Sequence, residues 1–128
     1  MKLSDAIRLG AMLRPQTFGR AFRRGGSCAL GAALEASGMD YNARRQRVDL
    51  FVAERWPWAD IEADVSCPSC HARFMCAGQL VVHLNDAHSW KRERIADWVA
   101  SVEPISQPLA TGRGGLEDVD RPVPAPRV

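Results

Sequence analysis

The stretch CPSCHARFMCAGQLVVHLNDAH, residues 67–88, carries two residue pairs. Cys67 and Cys70 are separated by two residues, His83 and His88 by four, and twelve residues lie between the pairs. Two thiolates and two imidazoles satisfy the tetrahedron of soft and borderline ligands that zinc prefers. CPSC forms a tight turn that aims both sulfurs at one point, and residues 71–75 can form a strand returning from it. Over residues 77–87, Leu80, Leu84 and Ala87 fall at i, i+4 and i+7, one face of a helix, and His83 points inward with them. His83 and His88 are five positions apart, about 140° around an ideal helix. Both can face one metal only if the last turn tightens or opens. Asn85 and Asp86 tolerate irregular backbone, so the helix end is predicted to distort near residues 86–88.

Phe74 and Leu80 extend the pattern. Three residues separate Phe74 from Cys70, five separate Leu80 from Phe74, and two separate His83 from Leu80. With these six positions the stretch resembles the two-cysteine, two-histidine ββα zinc finger. The resemblance covers 22 residues of a chain of 128. It implies Cys67, Cys70, His83 and His88 as ligands of a structural Zn2+, and Phe74 and Leu80 as the apolar pair beneath it. Cys76 or His71 could replace a ligand if the finger is irregular; Cys76 is read instead as a residue at the helix start. In DNA-reading fingers the base-facing positions are −1, 3 and 6 of the helix. Here these are Cys76, Gln79 and Val82, of which only Gln79 has the polar fork that reads adenine. One finger covers about three base pairs, too few for useful specificity alone.

Net charge is only +2, but it is unevenly spread. Residues 1–56 hold ten Lys or Arg against five Asp or Glu; residues 57–103 hold four against seven; residues 104–128 hold three against three. The basic half is the N-terminal half, not the finger. Asp5 and Arg8 interrupt what would be the apolar region of a signal peptide. No apolar run approaches a membrane span. Cysteines used as metal ligands point to a reducing, cytoplasmic compartment.

Residues 4–13 read as a short amphipathic helix, capped by Ser4 or Asp5, with Leu3, Ile7, Ala11 and Met12 on a narrow apolar face and Pro15 as its stop. Residues 14–26 (RPQTFGRAFRRGG) read as a glycine-rich loop. Its Arg14, Arg20, Arg23 and Arg24, interleaved with Phe18 and Phe22, could grip a phosphate backbone and stack on bases. The preferred alternative is a solvated basic loop with both phenylalanines docked in the core. Residues 27–37 (SCALGAALEAS) predict a small-residue helix, with Ser27 as N-cap and Gly38 as stop. Its Cys28 reads as a small buried hydrophobe.

Residues 41–56 predict a third helix, with a strand at 48–53 as the competing reading. Arg44, Arg45 and Arg47 form its basic cluster. Pro57 breaks the element, and Trp56 and Trp58 anchor the following loop. A short strand is expected to lead up to Val65. After the finger, Ile95, Trp98, Val99 and Val102 define a helical face, with Ser89 as cap. This helix should pack against the finger helix. The segment HLNDAHSWKRERIADWV resembles the C-terminal part of small bacterial and phage-type proteins of unassigned function. Residues 104–128, rich in Pro and Gly without periodicity, read as a disordered tail.

The expected fold is mainly α with a small ββα zinc-finger unit: a single small domain plus the tail. Its parts are a basic helical region (1–58), the finger with its packed helix (59–103) and the tail (104–128). The expected function is nucleic-acid binding in an accessory or regulatory role. The contacts would be Arg20, Arg23, Arg24, Arg44, Arg45, Arg47 and Gln79, with a salt-dependent affinity. The alternative is a protein-interaction adaptor with exposed tryptophans and a flexible tail. No membrane and no small-molecule substrate is indicated. An enzyme is not expected. Asn85, Asp86 and His88 beside a CxxC pair have a superficial likeness to zinc-supported nucleases. A catalytic zinc, however, keeps one position open for water, and four protein ligands fill this tetrahedron.

Overall fold

The computed structural model describes residues 1–41 and 47–104. Among these, five helices and two antiparallel two-stranded sheets surround one hydrophobic core. The expected residues 42–46 of the third helix, with Arg44 and Arg45, lie outside the described residues, as do 105–128 of the expected tail. Among the described residues, no helix is long and apolar enough to cross a membrane.

Helix α1 (Leu3–Gly10) is shorter than expected. Leu3 and Ile7 are fully buried, but Met12 and Leu13 lie past its end and are exposed. Its polar start is not self-capped. Ser4 is buried, and its N–H donates to Glu103 Oε2 at 3.2 Å while its hydroxyl donates to Glu103 Oε1. A carboxylate from the far end of the described chain thus satisfies the first turn and complements the helix dipole.

Helix α2 (Ala29–Ala36) is capped by Cys28, whose Sγ accepts the Gly31 N–H at 3.4 Å. The expected cap, Ser27, lies one residue earlier, in a strand. The small residues let α1 and α2 touch backbone to backbone. A Cβ on Gly10 would lie 1.9 Å from the Ala32 carbonyl oxygen, and one on Gly31 would lie 2.3 Å from that of Ala21.

The expected loop at residues 14–26 contains a hairpin. Strands β1 (Phe22–Arg23) and β2 (Gly26–Ser27) pair with Phe22 opposite Ser27. The joining residues Arg24 and Gly25 have φ of 50° and 80°, the two left-handed positions of a type I′ turn. Phe22 is buried edge-on against Tyr41, their ring centroids 5.1 Å apart, whereas Phe18 stays exposed.

Helix α3 (Val48–Arg55) bears out helix over strand at 48–53 and buries Val52, but it starts later than the expected residue 41, because Arg47 before it is extended. Trp56 follows it, 1% exposed, donating Nε1–H to the Met1 carbonyl at 3.0 Å. Buried Trp56 is no docking residue, and Trp58, Trp90 and Trp98 are half-buried. A 3-10 turn (Pro57–Ala59) leads toward strands β3 (Val65–Ser66) and β4 (Arg73–Phe74), which pair with Val65 opposite Phe74. Helix α4 (Ala77–Asp86) and helix α5 (Arg92–Val102) follow. Helix α5 packs on α4, as expected, but more extensively on α1. Lys91 precedes α5, and Ser89, the expected cap, instead takes a left-handed φ of 52°. Ile95 and Val99 are buried as expected, and Val102 is exposed.

Arg92 is buried and has no carboxylate partner among the described residues. Its guanidinium donates to Ser27 Oγ (2.9 Å), to Arg14 O (2.7 Å) and, at 3.3 Å, to Ser27 O and Ala11 O. Burial pulls its pKa below the usual arginine value, opposed by Glu93 and Cys28. Four acceptors replace the lost water.

Two outcomes test this packing. Gly10→Ala should gain helix propensity of about 1 kcal/mol yet lower stability by about 1–3 kcal/mol, because the new methyl meets backbone; urea midpoints report the sign. The Cys28 thiol is pushed up by burial, against the Gly31 and Leu30 N–H groups. Its folded pKa therefore exceeds its unfolded one. The stability it contributes is complete below the ordinary thiol pKa of about 8.5 and is lost as pH rises through the folded value. Above that pH the stability of wild type should fall relative to Cys28→Ala.

Candidate metal centre

Backbone geometry builds the cysteine end of the site. Cys67 follows β3 and its N–H donates to Ala72 O at 2.8 Å, while the His71 N–H returns to Cys67 O at 2.9 Å. His71 takes a left-handed φ of 66°, turning the chain into β4. Inside this knuckle the N–H groups of Ser69 and Cys70 point at Cys67 Sγ, at 3.3 and 3.4 Å. Burial opposes ionisation of the Cys67 thiol. The N–H groups of Cys70 and Ser69, the Cys70 side chain and the His71 N–H outweigh it and hold the pKa below the usual thiol value. The site stabilises a thiolate, the form that binds metal.

Helix α4 builds the histidine end. Leu80, Val81 and Leu84 are fully buried and fix its rotation, which sets His83 toward the knuckle. The helix ends at Asp86, and the Ala87 N–H closes on His83 O at 2.8 Å. His88 lies beyond the regular turn. Left-handed Ser89 then folds the chain back, so that the Trp90 N–H reaches Leu84 O at 3.1 Å. The helix end distorts where the five-residue histidine spacing requires it.

Cys70 Sγ lies 3.3 Å from His83 Nε2, and His83 Nε2 lies 3.1 Å from His88 Nε2. One ligand atom from each of Cys67, Cys70, His83 and His88 falls within 4.8 Å of all the others. Metal–nitrogen bonds of about 2.0–2.1 Å and metal–sulfur bonds of about 2.3 Å give tetrahedral edges of about 3.3 Å between nitrogens and 3.6 Å between nitrogen and sulfur. The Cys70–His83 and His83–His88 pairs already stand close to that spacing, and with all four donors within 4.8 Å of one another the residues fit a single ion. Phe74, half-buried, sets its ring 4.6 Å from that of His83, and Leu80 closes the base. Cys76 and His71 are not in the group. Cys76 is the buried residue preceding α4, and His71 is exposed at the knuckle turn.

Sequence reasoning missed the importance of Asn85. It is fully buried, although it was read only as tolerant of irregular backbone. Its Oδ1 accepts from Gln16 Nε2 (2.9 Å) and the Ala29 N–H (3.2 Å); its Nδ2 donates to Thr17 O (3.0 Å) and Asp86 Oδ1 (2.7 Å). Two positions after a metal donor, one amide ties α4 to residues 16–17 and to the start of α2.

The expected nucleic-acid contacts divide into groups. Arg20, Arg23 and Arg24 are exposed on the hairpin and its approach, and their side chains make no ion pair or hydrogen bond among the described residues. Arg47 is exposed but forks onto Asp49 at 2.8 and 3.1 Å. That pairing raises the arginine pKa and lowers the aspartate's. Gln79 is exposed and its Oε1 accepts the Met75 N–H at 3.3 Å. Arg14 is structural: it grips Glu35 at 2.9–3.0 Å and lies 3.6 Å over the Tyr41 ring.

The class that this geometry defines is a small helical domain with a Cys2His2 group able to hold a metal ion. No known family model, curated protein or solved structure matches the chain.

Titration of the metal-free protein separates ligand from neighbour. His88→Ala should lose high-affinity binding of the ion, and Cys76→Ala should keep it. Cys67, Leu80, Val81 and Leu84 share one core with α1, α2 and α5, so a chelator should lower the melting temperature of the whole domain. Survival of the helical signal unchanged would contradict this.

Proposed function

We propose that Cys67, Cys70, His83 and His88 hold a structural Zn2+ in a ββα finger, and that the domain is a nucleic-acid-binding accessory or regulatory protein. Two thiolates and two imidazoles suit zinc above harder ions. When bound, the ion supplies a cross-link and no open coordination position, so catalysis is not proposed. Free cysteines fit a reducing, cytoplasmic setting.

The observation that carries the nucleic-acid reading is the sorting of arginines. Arg8, Arg14, Arg47, Arg55 and Arg73 have carboxylate partners. Among the described residues Arg20, Arg23 and Arg24 have none and share one hairpin region, whereas Arg94, also without a carboxylate, lies 3.7 Å over the Trp90 ring. The type I′ turn places Arg24 directly after Arg23 at the exposed tip of the hairpin. The finger helix contributes little direct readout, since of its reading positions only Gln79 is an exposed polar side chain. The adaptor alternative is favoured by a different surface: Leu9, Met12 and Leu13 at the end of α1 are 48%, 82% and 56% exposed, an apolar patch that a protein partner could cover.

Fluorescence anisotropy of the zinc-loaded chain with short duplex and single-stranded DNA, titrated across salt, tests the reading. Binding should weaken steeply with salt. Replacing Arg20, Arg23 and Arg24 together by alanine should weaken it and flatten the log–log slope by about two to three. No binding at low salt would remove this function and leave the adaptor. Loss of a preferred site on Gln79→Ala, with the arginines dispensable, would move recognition to the helix.

A further inference from the structure

A cleft of about 640 Å³ opens beside the metal-bearing helix, on the side of the basic hairpin. Its apolar lining includes Phe22, Leu30, Val48 and Val82; its polar groups include Arg20 and Asp86. That volume lies within the range of small-ligand sites. Val82 is 41% exposed. It faces the cleft from the outer side of α4 rather than the core.

The polar groups are arranged asymmetrically. Arg20 is exposed and without a partner among the described residues. Asp86 Oδ1 is fully used, accepting the Gly19 N–H at 3.0 Å and Asn85 Nδ2 at 2.7 Å. Those bonds fix the carboxylate's orientation. Asp86 Oδ2 accepts no hydrogen bond among the described residues. The cleft therefore joins one cation, one oriented acceptor oxygen and walls that are partly apolar. A ligand that answers all three has an anionic group, a flat apolar body and a hydrogen-bond donor at its far edge. A nucleotide whose base carries an exocyclic amine has this form. An acidic side chain accepts from cytosine N4. Thymine flanks its single ring N–H with two carbonyls, which a carboxylate repels.

We propose that this cleft receives one unstacked, amine-bearing nucleobase, with its phosphate on Arg20 and its amine on Asp86. This rests on the nucleic-acid reading when the nucleotide belongs to a single strand. Flanking phosphates would then continue along Arg23 and Arg24, as stacking pockets beside basic tracks do in single-strand binders. A free nucleotide offers the same chemistry, and the experiment separates the two sources.

The test uses the zinc-loaded full chain with four probes: dCMP, dTMP, oligo(dC) and oligo(dT). Methyl NMR should show dCMP shifting the Val82 and Leu30 resonances more strongly than dTMP. Oligo(dC) should bind about tenfold more tightly than oligo(dT), within the range of one good base contact. Val82→Trp, a change at a partly exposed position, should fill the cleft and erase that preference while salt-dependent binding remains. Asp86→Asn keeps an acceptor for the Gly19 N–H but can present an amide donor to the ligand, and should shift the preference toward oligo(dT). Equal affinity for the two oligonucleotides, with Val82→Trp silent, would overturn the cleft and leave nucleic-acid binding standing. Cleft shifts by dCMP without any oligonucleotide binding would keep the site for free nucleotides and end the single-strand reading. No response to any probe would overturn both.

Discussion

One buried amide, that of Asn85, sets the relation between the parts of this domain. A primary amide in an apolar core must have its hydrogen-bonding groups answered, or the burial is strongly unfavourable. Here the answers come from Gln16, Thr17, Ala29 and Asp86, three of them more than fifty positions away in sequence. Directional bonds restrict rotation and sliding of α4 in a way that Leu80 and Leu84 alone cannot. The histidine end of the metal cluster, the approach to the basic hairpin and the start of α2 are therefore held in a single arrangement. Arg92 acts alongside it from α5, fastening Ser27, Arg14 and Ala11 through their backbone oxygens.

The metal donors were legible because their spacing is a local property. A knuckle, a return strand and a helix of known rise bring Cys67, Cys70, His83 and His88 near one another, and the awkward five-residue step even announced the broken helix end. Helix interiors were legible from periodicity. Their ends were not: Cys28 replaced Ser27 as a cap, and Glu103, remote in sequence, caps α1 in place of a neighbouring residue. The β1–β2 hairpin escaped notice because Arg24 enters a left-handed conformation that favours glycine or asparagine. Arg92 and Asn85 escaped because a polar residue in a polar run reads as solvent-facing until its distant acceptors are known.

The same arrangement explains why net charge is a poor guide to this surface. Arg14 and Arg92 are absorbed by the fold, one by a carboxylate and an aromatic ring, the other by carbonyls. Arg47 and Arg73 are neutralised by exposed aspartates at 2.8 and 2.6 Å. Among the described residues, Arg20, Arg23 and Arg24 form a cationic group whose position is determined by the hairpin and, through Asn85 and Asp86, by the helix that carries the histidines. A structural ion at that helix would consequently influence the basic surface without touching it.

The clasp between Ser4 and Glu103 has a consequence for how the chain is made. Helix α1 is synthesised well before α5, yet the group that completes its first turn is 99 positions downstream. At about 5–20 residues per second, synthesis separates the two by roughly 5–20 s. During that interval α1 can find α2, since the two meet through small residues close in sequence. Its remaining apolar side waits for α5. The nascent chain thus carries an uncovered greasy surface until almost all of the described residues have been translated, and the clasp closes only after the whole core has been made.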